Sequence, residues 1–252
     1  MNQIISNASE DNAAAANIVA WEYPSELAAT DGVRMTDNDS LMGYSYSPAY
    51  TVRSNDAVVE SNGSTTEWMV VFGNGYNSSN GTAALIILGL NNDGSIRWRK
   101  ELDTGFGGNE DSSRCNGLSA PALIDIDNDA RVDFAFAGDL FGNMWKFDLR
   151  DPDHRNWEIY FQDAAGVPQP LFRAHGAYRN TTDGWVNTDQ PITTQPEVMS
   201  ASCAFGQSGY MVLFGTGRLL AQNENFDQSP NTFYGIWDMS PAFDTIDDDG
   251  TI

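Results

Sequence analysis

APALIDIDNDARVDFAFAGDLFGNMWKFDL, residues 120–149, sets out one structural unit in thirty residues. Ala120 to Ile124 and Phe134 to Gly138 are short apolar runs, bounded by an acidic loop, and read as strands. "FGNM" after Leu140 is a hairpin signal, and "NMWKFDL" from Asn143 is a third strand. The same order recurs on either side. "VVFGNG" (Val70 to Gly75), "FAFAGD" (Phe134 to Asp139) and "VLFGTG" (Val212 to Gly217) each end an apolar run in a small-residue hinge; their central residues Phe72, Phe136 and Phe214 lie 64 and 78 residues apart. A proline-bearing extended segment precedes each ("SPAYTV" from Ser47, "APALID" from Ala120, "QPEVM" from Gln195). A further strand follows each ("AALIILGL" from Ala83, "NMWKFDL", "FYGIWDM" from Phe233). "SIRWRKEL", reached through the turn "NNDG", and "NWEIYFQD" (Asn156 to Asp163) offer a fourth strand to two of the units.

Three- or four-stranded antiparallel units in tandem predict an all-β fold, a β-propeller. A β-sandwich is the alternative, but accidental similarity would not repeat three elements in one order. At about 70 residues per unit, 252 residues hold three to four blades, and a closed ring usually needs more. The expected chain is therefore an incomplete set of blades: residues 1–20 as a lead-in with a short helix capped by Ser9, and 21–252 as a propeller fragment.

Composition narrows the function. Thirteen Lys and Arg against 35 Asp and Glu give a net charge of −22, so neither a nucleic-acid backbone nor an anionic membrane surface is a suitable partner. Asp outnumbers Glu 25 to 10, the balance of a chain rich in turns and loops rather than helix surfaces. No apolar run approaches the roughly 20 residues of a membrane helix. Residues 1–20 lack the basic and apolar regions of a signal peptide. Cys115 and Cys203 can form one disulfide or remain two separate buried thiols.

The acidic loop carries the chemistry. Asp125, Asp127, Asp129 and Asp133 occupy loop positions 1, 3, 5 and 9, a spacing that turns carboxylates toward one centre, where they repel unless a cation joins them. Hard oxygen donors in this pattern fit Ca²⁺, with the backbone carbonyl of Arg131 at position 7 and the Arg131 side chain directed to solvent. Two departures from the EF-hand pattern stand out: Ala130 replaces glycine at position 6, and Phe136 replaces glutamate at position 12. The loop thus closes at Asp133 and joins two strands. "TDNDS" (36–40) and "DDDG" (247–250) read as plain turns, and the "GNG" and "GTG" hinges as strand ends without the helix a phosphate loop requires. His154 and His175 stand in no catalytic spacing and read as loop residues, and the tryptophans read as inter-blade packing.

The stretch from Asn116 to Leu149, with "QPITTQPEVM", "GYMVLFGTGRLL" and "FYGIWD" after it and "WEYPSEL", "LMGYSYSPAYTVRS" and "NGYNSSNGTAALIILGL" before it, resembles the C-terminal β-propeller of the PilY/PilC-type adhesins of bacterial type IV pili. The resemblance covers about Trp21 to Asp238. It implies a modified, quinoprotein-like propeller whose calcium loop matches Asp125, Asp127, Asp129, the Arg131 carbonyl and Asp133. It further implies a non-enzymatic role at the pilus tip and cell surface, after export through the periplasm and outer membrane. The implied tasks are pilus assembly against retraction, adhesion and twitching motility. Minor pilins or other tip proteins are the implied partners, with a host or surface receptor engaged through an N-terminal region that this sequence lacks; neither nucleic acid nor membrane insertion is expected. Two readings from another class remain beside it. "LGLNNDGSIRWRKEL" resembles the tryptophan-docking blades of quinone-dependent dehydrogenases, and high Asp with low Lys suits a halophilic enzyme.

Overall fold

The computed structural model describes residues 20–24, 41–59, 63, 65–108, 115–180, 184–202, 208–220, 224 and 229–240. The expected lead-in helix with its Ser9 cap, the 36–40 and 247–250 clusters, and Cys203 lie outside them.

The first sheet contains β1 (Tyr50–Val59), β2 (Thr65–Gly73), β4 (Thr82–Leu90) and β5 (Ile96–Gly107), antiparallel and in chain order. A two-residue β3 (Gly75–Tyr76) leaves its end to pair with β6 (Gly117–Leu118). The second sheet runs β7 (Ala122–Ile124), β8 (Phe134–Gly138) and β9 (Asn143–Asp148). Its outer edge is shared by two short strands, β10 (Glu158–Ile159) and β11 (Phe172–Arg173). The expected fourth strand over 156–163 is therefore only two residues long. Asp163 explains the interruption: its carboxylate accepts from the Ala165 and Val167 amides and folds a turn around Gly166 (φ +78°), so the chain leaves the sheet and returns at Phe172. A hairpin of β12 (His175–Asn180) and β13 (Gly184–Asp189), unforeseen in the sequence, precedes the third sheet of β14 (Glu197–Ser202), β15 (Ser208–Gly215) and β16 (Phe233–Asp238).

Period-2 alternation explains why the sheets stack. Met69, Val71, Leu85 and Ile87 from one face of the first sheet meet Ala135, Ala137, Trp145 and Phe147 of the second. The alternate residues Phe134, Phe136 and Met144 meet Val212 and Phe214 of the third sheet. The far face of the first sheet (Val70, Phe72, Ile86, Leu88) packs on Trp21, Tyr23, Leu41 and Met42. A sheet covered on both faces needs apolar residues at every position, which is why "AALIILGL" and "FAFAG" are continuous runs. Between the second and third sheets, Lys146 is fully buried with its Nζ 3.0 Å from Asp238 and about 4 Å from the ring centres of Phe134 and Tyr160. The pair ties β9 to β16 with both charged groups buried, and Lys146 also donates to the Ser240 hydroxyl.

The three hinges share a polar residue after the glycine, and two of them a close backbone or side-chain approach. Gly73 and Gly138 are small because a Cβ there would lie 2.1 Å from the Ser119 carbonyl oxygen or 2.2 Å from Ile192 Cγ2. The next residue binds backbone through its side chain. Asn74 donates to Leu41 and Thr82 carbonyls and accepts from the Ala84 and Leu118 amides. Asp139 accepts from the Phe141 and Asn143 amides and from the side chains of Asn116, Asn143 and Trp145. Thr216 exchanges bonds with Thr232. Sheets of consecutive antiparallel strands, stacked one after another along the chain, are the blades of the expected β-propeller.

Candidate metal centre

The loop between β7 and β8 is folded by its own aspartates. Asp125 accepts from the amides of Asn128 (2.7 Å) and Ala130 (2.8 Å), Asp127 from Asp129 (3.1 Å), and Asp129 from Arg131 (2.8 Å). Asp133 reaches back to the Ile126 amide at 2.7 Å. Two residues adopt the left-handed backbone, Asn128 (φ 64°) and Ala130 (φ 67°). The turn at position 6 is therefore made although its residue is alanine, at a cost of about 1 kcal/mol.

This geometry brings together three of the four expected acids. Ligand oxygens of Asp125, Asp127 and Asp133 all lie within 4.8 Å of one another. Asp129 stands apart from that group, with its carboxylate 3.6 Å from the Arg131 guanidinium. The donor set is all oxygen, without imidazole or thiolate, which suits Ca²⁺ better than zinc or a softer ion. Asp133 is buried, and burial raises its carboxyl pKa above the usual carboxylate range. The Ile126 amide and the Asn55 side chain pull it down, and the charges of Asp127 and Asp125 push it up again. A cation at the shared centre would offset that repulsion.

The expected orientation of Arg131 is corrected. Its side chain does not point to solvent but crosses to the first sheet, where it binds Glu67 on β2 at 2.6 Å. Glu67 also receives Arg53 from β1, and these two guanidinium groups, Arg53 foremost, hold its carboxyl below the ordinary glutamate value. Asn55 on β1 donates to the Val132 carbonyl (3.0 Å), to Asp133 (3.2 Å) and to the Leu149 carbonyl (3.0 Å). No local spacing signals that Asn55 and Glu67 support the loop, because 64 to 94 positions separate them from Arg131, Val132, Asp133 and Leu149.

His154, expected as a plain loop residue, belongs to a second group. His154 stacks on Trp98 (centroids 4.1 Å apart, 3° between planes), and its Nδ1 contacts Asp56, which also meets Arg97. Asp153, beside it, is engaged by Arg155. Asp56 is thus held by Arg97 and His154, and Asp153 by Arg155 on the exposed side.

Stacked antiparallel blades, with an acidic, oxygen-only loop connecting two strands of one blade, place this chain in the class of β-propeller proteins. Comparison with known proteins narrows this. The chain belongs to the PilY1 β-propeller family, whose domain model matches residues 6–246. It is 38% identical over 225 residues to the type IV pilus biogenesis factor PilY1 homolog of Xylella fastidiosa, covering 87% of this chain and 13% of that protein. It is 33% identical over 244 residues to type IV pilus biogenesis factor PilY1 of Pseudomonas aeruginosa strain UCBPP-PA14, covering 92% of this chain and 18% of that protein. The chain thus spans less than a fifth of the length of these relatives. The crystal structure of the Pseudomonas aeruginosa PilY1 C-terminal domain is similar with a TM-score of 0.56 and 31% identity, over 81% of this chain and 38% of that one. Among the described residues no helix is long and apolar enough to cross a membrane.

Proposed function

We propose that this chain is a calcium-binding propeller module of a type IV pilus biogenesis factor, acting outside the cell at the pilus tip as a non-enzymatic scaffold. Ca²⁺ is held by Asp125, Asp127, Asp133 and the Arg131 carbonyl, with Asp129 joining when its carboxylate turns from the Arg131 guanidinium. The observation that carries the reading is the convergence of the Asp125, Asp127 and Asp133 oxygens within 4.8 Å in a loop supplying only hard donors. When bound, the ion supplies charge neutralisation and nothing further. The loop residues hold the turn, and the strands on either side carry its order into the blade. Relatives named as pilus biogenesis factors support the setting. Minor pilins or other tip proteins are the proposed partners, and support of extension against retraction, adhesion and twitching motility the proposed tasks. Isothermal titration of the chain with CaCl₂ should give one site, lost in Asp125→Ala and Asp133→Ala. Absence of binding to the folded wild-type chain would overturn the reading.

A further inference from the structure

The β1–β2 pairing slips between Arg53 and Val58, and beside that irregularity the Arg53 carbonyl meets the Val132 amide, the Asn55 side chain meets the Val132 carbonyl and the Asp56 carboxylate meets the His154 amide. Arg53 accepts the Val132 amide on its carbonyl at 3.1 Å. The Asn55 amide has two hydrogens and three acceptors around it: the carbonyls of Val132 and Leu149 and the carboxylate of Asp133. Glu67 takes Arg53 and Arg131 together. The acidic loop is therefore gripped at both ends of its last turn by side chains from another sheet. One grip acts on a candidate ligand oxygen; the other acts on the residue whose carbonyl occupies position 7.

We infer that Asn55 and Glu67 are positioning residues for the cation loop, and that filling the loop and closing the seam between the first two sheets are one coupled equilibrium. The inference rests on the calcium reading above. Coupling of this kind is reciprocal: if Ca²⁺ tightens the seam by some factor, loosening the seam weakens Ca²⁺ by the same factor. Without Asn55, Asp133 loses the donor that aims its Oδ1, and the Val132 and Leu149 carbonyls lose a shared anchor. Without the Glu67 charge, Arg131 keeps only its longer contact with Asp129 and loses its tie to the first sheet.

The test uses the whole 252-residue chain in two measurements. Calcium titration should show Asn55→Leu, which keeps the shape and removes the donor, weakening binding about ten-fold, and Glu67→Gln about three-fold. Hydrogen exchange of the wild-type chain, with and without CaCl₂, should show added protection in residues 50–59, which contribute no ligand. A merely structural Asn55 would lower the melting temperature without altering affinity or this remote protection. Wild-type binding with unchanged exchange at 50–59 and both variants within two-fold overturns the coupling and leaves the calcium reading standing. No binding by the wild-type chain overturns both, and is seen before any variant is made.

Discussion

Asp139→Asn sets two large effects against each other. Asp139 is fully buried, and burial raises its carboxyl pKa, so removing the charge relieves a desolvation cost. Against this stand five donors: the amides of Phe141 and Asn143 on Oδ1, and the Asn116, Asn143 and Trp145 side chains on Oδ2. An asparagine has one acceptor oxygen. If its NH₂ falls at the Oδ1 position, two donors are orphaned; at the Oδ2 position, three. The neighbouring amides cannot rotate to compensate. The Asn116 oxygen already accepts from Gly117 and Leu140, and the Asn143 oxygen from Arg173. Two unsatisfied buried donors at roughly 1–3 kcal/mol each give a loss of about 4 kcal/mol, a large part of an ordinary domain's stability. That corresponds to a fall of about 8–16 °C in melting temperature for a domain of this size. Urea unfolding followed by near-ultraviolet circular dichroism measures it. Calcium affinity should hold, because Asp139 lies at the opposite end of β8 from the acidic loop. A variant as stable as the wild type would refute the reasoning and show that burial of the charge outweighs its hydrogen bonds.

Ala130→Gly relieves the left-handed strain at φ 67° but loosens the unfolded chain; the balance should stabilise the protein by about 0.5 kcal/mol, raising the melting temperature by one or two degrees. Loss of stability in thermal unfolding would contradict the turn geometry. Tyr46 has its pKa pushed up to about 12, chiefly by burial and then by the nearby Asp139 and Tyr76. Its folded pKa lies above the unfolded value near 10, so its contribution is intact below pH 10 and is lost as pH rises toward 12. Absorbance titration should find a tyrosine that ionises near pH 12 and is missing in Tyr46→Phe, and that variant should resist alkaline unfolding better. The Tyr46 hydroxyl is buried without a hydrogen-bond partner, so its removal should cost little at pH 7.

Much of the fold was legible because it depends on local pattern. Continuous apolar runs between turns marked β2, β4, β8, β9, β15 and β16, and the recurring hinge glycines announced a repeat before any pairing was known. The β12–β13 hairpin escaped notice because "HGAYRNTTDGWVNTD" is polar and has neither the alternation nor the apolar run that marks a strand. The interrupted fourth strand escaped as well, since "NWEIYFQD" has strand composition and only the Asp163 turn diverts it.

The acidic loop followed the same division. Spacing put Asp125, Asp127, Asp129 and Asp133 in one turn; amides within the loop hold the carboxylates, the oxygens of Asp125, Asp127 and Asp133 converge, and Asp129 turns instead to Arg131. Sequence did not reveal where Arg131 would turn, nor that Asn55 and Glu67 support the loop from another sheet. Those contacts span 64 to 94 residues and exist only once the two sheets stack. The sequence by itself determined the blades and the turn chemistry, both set by neighbours within a few residues. The seam that joins the loop to the rest of the propeller was decided by tertiary packing, since only apolar burial between sheets brings those distant side chains within hydrogen-bonding reach.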